Sequence, residues 1–360
     1  MRNLSFSSPE PSSASPLSSV RDECVVEKGK PKWTAPGLSH LKGLLGALAG
    51  LVVSFPAVVS AEPSELSPSV GHNYGDHETP RMAAVGGATR ASSNSLTSLY
   101  SNPANMAAAQ LYHIGAFAQI YPEANRQSYG AAVVDSLISS SGLAGGLGGV
   151  LTIQDPDGMA REWMDVRFGL SMPLGDLFFL GLTGKYITVQ QNGLGPLRHS
   201  EVSGGLQDQN ILQSVTFDAG ATLRPSPQFA VSLTGQNLTN PDTAILPISG
   251  GLGAAFSTAD FILSADAVIE SKTHAATKFR AMAGGELLIA DRIAARLGYR
   301  FDQGFEGHAV SGGIGYIDQK FSLDASVRRG ISGAEYWAAV FGFTIHIEAM
   351  GLGSSSPGAY

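Results

Sequence analysis

The chain is poor in cysteine, in charge and in long apolar runs, and each shortage narrows what it can be. There is one cysteine, Cys24, in 360 residues, so no disulfide can form within the chain. Asp, Glu, Lys and Arg together make up 15% of it, with a formal net charge of −7. No basic stripe of the kind phosphate binding needs is present, which excludes nucleic acid as a partner. After residue 61 no stretch reaches the 18 apolar residues of a spanning helix. There is no G-x-S-x-G elbow and no Walker loop, so the chain reads as a non-enzyme without a cofactor. His72 and His77, with Asp76 and Glu78 beside them, have loose metal-ligand spacing. Between Gly71 and Pro80 they read as a solvated linker, and no metal site is expected.

What remains is organised by period two. Glycine is abundant, at 44 residues against an average use of roughly 7%, and it suits strands with small residues on both faces. In Phe321–Arg328, Phe321, Leu323, Ala325 and Val327 alternate with Ser322, Asp324, Ser326 and Arg328. Asp291–Asp302, Val215–Arg224 and Met164–Met172 repeat the pattern. Fourteen such segments follow one another between residues 111 and 347, most near the roughly 9–11 residues of a tilted membrane strand.

The connections sort into two sets. Pro173–Asp176, Pro225–Pro227, Ser257–Asp260, Ala290–Asp291 and Asp318–Lys320 are short, and each joins an even strand to the next odd one. Gln191–Asn210, Asn237–Leu246, Ser271–Thr277 and Arg329–Ala334 are longer and more polar. Short turns on one rim and long loops on the other, with an even strand count, predict a 14-stranded antiparallel transmembrane β-barrel in the bacterial outer membrane. Its apolar face meets outer-membrane lipid, and closure leaves no edge strand unpaired. Tyr112, Trp163, Phe178, Phe229, Phe256, Phe261, Phe279, Tyr299, Tyr316, Phe321, Trp337 and Phe343 fall near strand ends, where interfacial aromatics gather.

Ahead of the strands the chain reads differently. Leu44–Val59 is a broken apolar run preceded by lysines and followed by Val59-Ser60-Ala61, the pattern of a cleavable export signal. The expected division is residues 1–61 as an extended n-region with its signal, 62–110 as an N-terminal segment, 111–347 as barrel and 348–360 as a tail. Within 62–110 lie R-M-A-A-V-G-G-A-T-R-A (Arg81–Ala91) and L-Y-S-N-P-A-N-M-A (Leu99–Ala107). Asn102-Pro103 marks a turn or helix start, because proline fixes φ and has no N–H to donate.

The polar faces predict a lumen of mixed charge. It holds Asp165, Arg167, Lys185, Asp218, Arg224, Asp266, Glu270, Arg280, Glu286, Arg292, Arg296, Arg300, Asp302, Asp324 and Arg328. Folding the strands on their turns sets Asp266 beside Arg280 and Glu286 beside Arg296, pairs worth about 0.2–1 kcal/mol each. Inward glycines, Gly220, Gly251, Gly253, Gly298, Gly313 and Gly315 among them, leave room for a plug or a ligand.

The two N-terminal motifs resemble the signature of the FadL-type outer-membrane family, with its G-G-A run and later N-P-A. The related PorV/PorQ-type barrels share it. V-S-L-T-G-Q-N-L-T-N-P (Val231–Pro241), A-A-R-L-G-Y-R-F-D (Ala294–Asp302) and Gly312–Ser326 are similar to strands of the PorV-like branch. The resemblance implies a 14-stranded barrel with an N-terminal hatch formed by Gly86, Gly87, Ala88, Asn102, Pro103 and Ala104. It implies passive uptake of fatty-acid-like or other hydrophobic small molecules in the FadL branch. In the PorV branch it implies a protein partner in secretion or surface attachment.

Overall fold

Alternation in the sequence becomes a closed wall in the structure. The computed structural model describes residues 77–347, apart from 138, 140–141, 155–159, 193–208, 240–245, 272–275, 305 and 334–335. The expected signal and C-terminal tail lie outside the described residues, as does most of the long loop Gln191–Asn210.

The strands are β1 (Tyr112–Tyr121), β2 (Arg126–Asp135), β3 (Ala144–Gln154), β4 (Ala160–Leu174), β5 (Phe178–Asn192), β6 (Gln209–Ser226) and β7 (Phe229–Gln236). The wall continues with β8 (Ile248–Ser257), β9 (Phe261–Ser271), β10 (Lys278–Ile289), β11 (Ile293–Asp302), β12 (Gly307–Ile317), β13 (Phe321–Ser332) and β14 (Trp337–His346). Each pairs antiparallel with its sequence neighbours, and β1 pairs with β14 to close a 14-stranded antiparallel β-barrel. Closure satisfies every ladder edge within the wall, the condition a sheet must meet to stand in lipid.

The two faces separate as the alternation predicts. Leu147, Phe168, Leu233, Leu252, Leu297 and Ile314 all stand out from the wall, Leu297 at 74% exposure. Asp165, Arg167, Lys185, Arg300 and Arg328 occupy the opposite, buried face. An apolar exterior and a polar interior are the reverse of a water-soluble domain and define a transmembrane β-barrel.

Turns on the short rim are tight for a local reason. Between β10 and β11, Ala290 and Asp291 take φ values of 51° and 55°, and Arg292 donates its N–H to Ile289 at 3.2 Å. Two left-handed central residues give the twist that an antiparallel hairpin needs. Arg292, expected on the inner wall, is instead exposed in this turn.

The segment before β1 forms two short helices, α1 (Pro80–Ala84) and α2 (Ser95–Ser101), and a 3-10 turn at Pro103–Met106. Thr79 caps α1, its Oγ1 accepting from Met82 N, and Pro80 takes the first helical position, where its missing N–H costs nothing. Gly86 and Gly87 end the helix with φ of 70° and 95°, a left-handed exit that favours glycine.

Candidate functional site

The candidate site is the lumen, and it is built by the contact between this N-terminal segment and the inner wall. Close approach comes first. A Cβ on Gly298 of β11 would lie 2.1 Å from the backbone N of Gly86. One on Gly181 of β5 would lie 2.3 Å from the backbone of Pro103 and Ala104. On Gly220 it would lie 2.0 Å from Asn102 Oδ1, and on Gly251 2.5 Å from Arg90 Nε. Several wall glycines therefore mark where the segment's backbone and side chains lie. Gly315 is different, for its neighbours are Asp324 and Arg296 of the wall itself.

The N-P-A motif docks through its amides. Asn102 Oδ1 accepts from Ala104 N at 3.1 Å, capping the 3-10 turn. Its Nδ2 donates to Arg90 O at 2.7 Å and to Thr222 Oγ1 of β6 at 2.9 Å. Thr222 in turn donates to Asn105 Oδ1 at 2.7 Å. Ser171 of β4 donates to Ala104 O at 2.8 Å. Gly86, Gly87, Ala88, Asn102, Pro103 and Ala104 are all buried.

Charge joins the two parts more strongly. Glu78 accepts from Arg300 at 3.0 Å through Oε1 and from Arg328 at 2.6 Å through Oε2. Arg81 Nε donates to Glu286 at 3.0 Å, and Arg296 bonds the same carboxylate while its Nη1 reaches Asp324. Asp266 receives the backbone N–H groups of Thr89 and Arg90, both at 2.9 Å. His77 Nε2 stands 3.1 Å from Asp165 Oδ2, which Arg167 also holds at 2.8 Å. Lys185 bonds Asp218 at 2.7 Å and Asn237 at 2.6 Å.

Three expectations are corrected by this arrangement. Asp266 does not pair with Arg280. Its register partner on β10 is Met282, and its charge is met by Arg90, while Arg280 bonds Glu270 at 3.0 Å. Glu286 faces Arg296 directly across β10 and β11, as expected. His77 is not on a solvated linker, being 2% exposed. Trp163 is not an interfacial aromatic. It shares its face of β4 with Asp165 and packs with Ile187, Val189, Leu212 and Leu246 in a buried apolar cluster. That cluster sits inside the barrel at the end where the long connections meet the strands. Among the described residues no group of three His, Cys, Asp or Glu is placed to hold a metal ion.

The wall partners in the segment, His77, Glu78, Arg81 and Arg90, were not assigned by alternation, because they precede the first strand. The available signal was Arg81 and Arg90 flanking the glycine run in an otherwise uncharged stretch.

A 14-stranded transmembrane barrel holding a docked N-terminal segment is a FadL-like fold, and comparison with solved structures agrees. The chain is similar to a FadL homologue of Pseudomonas aeruginosa, with TM-score 0.54 and 13% identity over 74% of this chain and 97% of that one. It is similar to the toluene transporter TodX of Pseudomonas putida, with TM-score 0.51 and 12% identity over 75% and 97%. A TodX deltaS2S3 mutant, a monoaromatic hydrocarbon channel, gives 0.54 and 11% over 75% and 98%. At these identities the likeness is one of fold. It bears on the FadL-type half of the expected resemblance and not on the PorV/PorQ-type half. No family model and no curated protein matches the sequence.

Proposed function

We propose that the protein is a bacterial outer-membrane channel for the passive transport of small hydrophobic molecules, with the N-terminal segment as its hatch. The observation that carries this reading is the buried apolar cluster of Trp163, Ile187, Val189, Leu212 and Leu246 at one end of a lumen whose wall elsewhere mixes charged, polar and apolar side chains. A lumen that served only water-soluble solutes would have no use for a desolvated aromatic patch at one mouth. The hydrocarbon transport named for the structural relatives supports the same substrate class.

The segment from His77 to Met106 fills the path below that cluster, so passage requires it to move or to leave a gap. In this reading Gly86, Gly87, Ala88, Asn102, Pro103 and Ala104 form the hatch, and Gly86, Asn102, Pro103 and Ala104 among them lie against glycines of the wall. The charged lumen residues Asp165, Arg167, Asp266, Glu286, Arg296, Arg300, Asp324 and Arg328 hold it in place, and Arg280 braces the wall beside it. The experiment is uptake of 2-methylnaphthalene by vesicles containing the purified protein, beside fractionation of cells. Uptake above protein-free vesicles, heat-modifiable migration on gels and recovery with the outer membrane are expected. Uptake equal to that of empty vesicles overturns the transport reading, and recovery in the soluble periplasmic fraction overturns the location.

A further inference from the structure

Two histidines meet where the barrel closes. His113 of β1 and His346 of β14 stand far apart in the sequence, and closure makes them directly opposite partners in the ladder. The pair sits beside the turn Asp318–Lys320, where His346 donates its backbone N–H to Lys320 O at 2.9 Å. That is the rim of short turns, the periplasmic one in an outer-membrane barrel. Both side chains share the inward face with Gly115 and Gly342 of the same strands, by period-two parity. Those glycines abut Leu96 and Pro80 of the N-terminal segment. Both histidines are half-buried, so the pair is reachable from the mouth of the lumen.

The two rings stack, with centroids 4.4 Å apart and planes 23° from parallel. An oxygen holds Nδ1 of each. His113 meets Ser95 Oγ of the segment, and His346 meets the backbone O of Gln319 at 3.3 Å. A carbonyl oxygen can only accept, so His346 carries its proton on Nδ1 and keeps a lone pair on Nε2. An imidazole that binds a metal is held in this way, its other nitrogen turned to an oxygen that fixes tautomer and ring orientation. Ser95 keeps its place at a cost: it opens α2 with φ of 51°, a left-handed conformation uncommon for any residue but glycine.

We propose that His113 and His346 chelate a divalent transition-metal ion of the zinc, nickel or copper class through their Nε2 atoms, at the short-turn mouth of the lumen. A tetrahedral ion about 2.0–2.1 Å from each nitrogen sets the two nitrogens roughly 3.3 Å apart. Facing, half-buried rings come to that spacing by side-chain rotation. Water fills the remaining positions, so no third protein ligand is required. Imidazole suits these ions, whereas magnesium and calcium take oxygen. The ion links the first and last strands, the one neighbouring pair that no turn connects, and so clamps the seam of the barrel. This goes beyond the transport reading and does not depend on it.

The test is calorimetry of Ni2+ and of Mg2+ with the purified, untagged protein in detergent. Ni2+ is expected to bind and Mg2+ is not. His113→Asn and His346→Asn should each weaken Ni2+ binding about tenfold or more, since each removes one of two ligands. His308→Asn is the control, because His308 bonds Tyr299 elsewhere on the wall, and it should bind as the wild type does. No Ni2+ binding, or binding kept in both seam variants, overturns the proposal and leaves transport standing. Two further measurements use the wild type alone. The ligands come together only in the closed barrel, so Ni2+ should raise the temperature at which gel migration changes. Binding with no such rise overturns the proposal. With one equivalent of Cu2+, the electron paramagnetic resonance spectrum should show coupling to two imidazole nitrogens. Coupling to one or to none overturns it as well.

Discussion

Asp266 of the wall caps Arg90 of the N-terminal segment: one carboxylate oxygen takes the Arg90 backbone N–H at 2.9 Å and stands 3.4 Å from its guanidinium. The same oxygen takes the Thr89 N–H. A single wall side chain thus satisfies a turn of backbone and a charge together, where neither can reach water.

Removing that carboxylate should undock the segment before it disturbs the barrel. Breaking a buried pair on one side costs about 3–5 kcal/mol, mostly because the other charge is left bare. Asp266→Ala is expected to make residues 77–110 sensitive to protease while the heat-modifiable barrel band persists. Its unfolding midpoint in detergent should fall. A segment as resistant as in the wild type would show that the Arg90 contact contributes nothing to docking.

Docking should also weaken in mild acid, through His77. Burial pushes this imidazole's pKa below its ordinary value, against the opposing pull of Asp165, while Arg167 and Arg126 add to the lowering. The contact to Asp165 is therefore a neutral Nε2–H hydrogen bond rather than an ion pair, and Arg167 supplies the balancing charge. The unbonded Nδ1 fits that tautomer. Tyr100, the aromatic neighbour, meets the ring edge-on at 6.3 Å. Since the undocked imidazole binds a proton more readily, docking is fully stabilised above about pH 6.5 and loses ground as pH falls below it. Protease sensitivity of the segment measured from pH 8 to pH 5 should rise, and His77→Asn should flatten the rise. An unchanged profile in that variant would mean that another group carries the dependence.

How far the sequence could be read depended on which contacts lie along a strand ladder. Fourteen strands, their closure and the inward face of Arg167 or Arg328 follow from period-two alternation, since parity alone assigns a face. Glu286 and Arg296 were legible as a pair because they sit directly opposite across one tight turn. Asp266 and Arg280 were not, because the register sets them two residues apart and a third charge, Arg90, comes from outside the sheet. Trp163 was misplaced although its parity matches that of Asp165. Its nearness to a strand end suggested the interface, and only the curvature of the closed wall shows that its side chain meets Leu212 and Leu246. His77 and Glu78 stand out in the sequence but read there as a solvated linker, because no local pattern says that a segment lying before the first strand turns back into the lumen.

A methyl group placed where the segment's backbone comes nearest a wall glycine should separate segment from wall. In Gly298→Ala the new Cβ would meet Gly86 N at 2.1 Å and Val85 C at 2.2 Å, distances no side-chain movement relieves. Gly149→Ala is the control, since its Cβ would meet only Asp165 O at 3.5 Å, ordinary contact. If the segment seals the lumen, Gly298→Ala should raise solute leak from vesicles several-fold over wild type and over Gly149→Ala. Equal leak in all three would mean that the lumen is closed by something other than this contact.

Whether the segment must move for transport can be decided by tethering it. Ser92 Oγ of the segment donates to Ser264 Oγ of β9 at 3.2 Å, close enough for Ser92→Cys and Ser264→Cys to form a disulfide with small adjustment. Cys24, the one native cysteine, is replaced by serine so that no other thiol competes. Formation of the bond is read from the gel mobility of the unheated protein with and without reductant. If the hatch swings as a unit, the oxidised protein should take up 2-methylnaphthalene no faster than protein-free vesicles do, and reductant should restore the rate. If molecules instead pass along a gap between a stationary segment and the wall, the oxidised and reduced forms should transport equally. The covalent link therefore distinguishes a gate from a fixed constriction without altering any charged residue of the lumen.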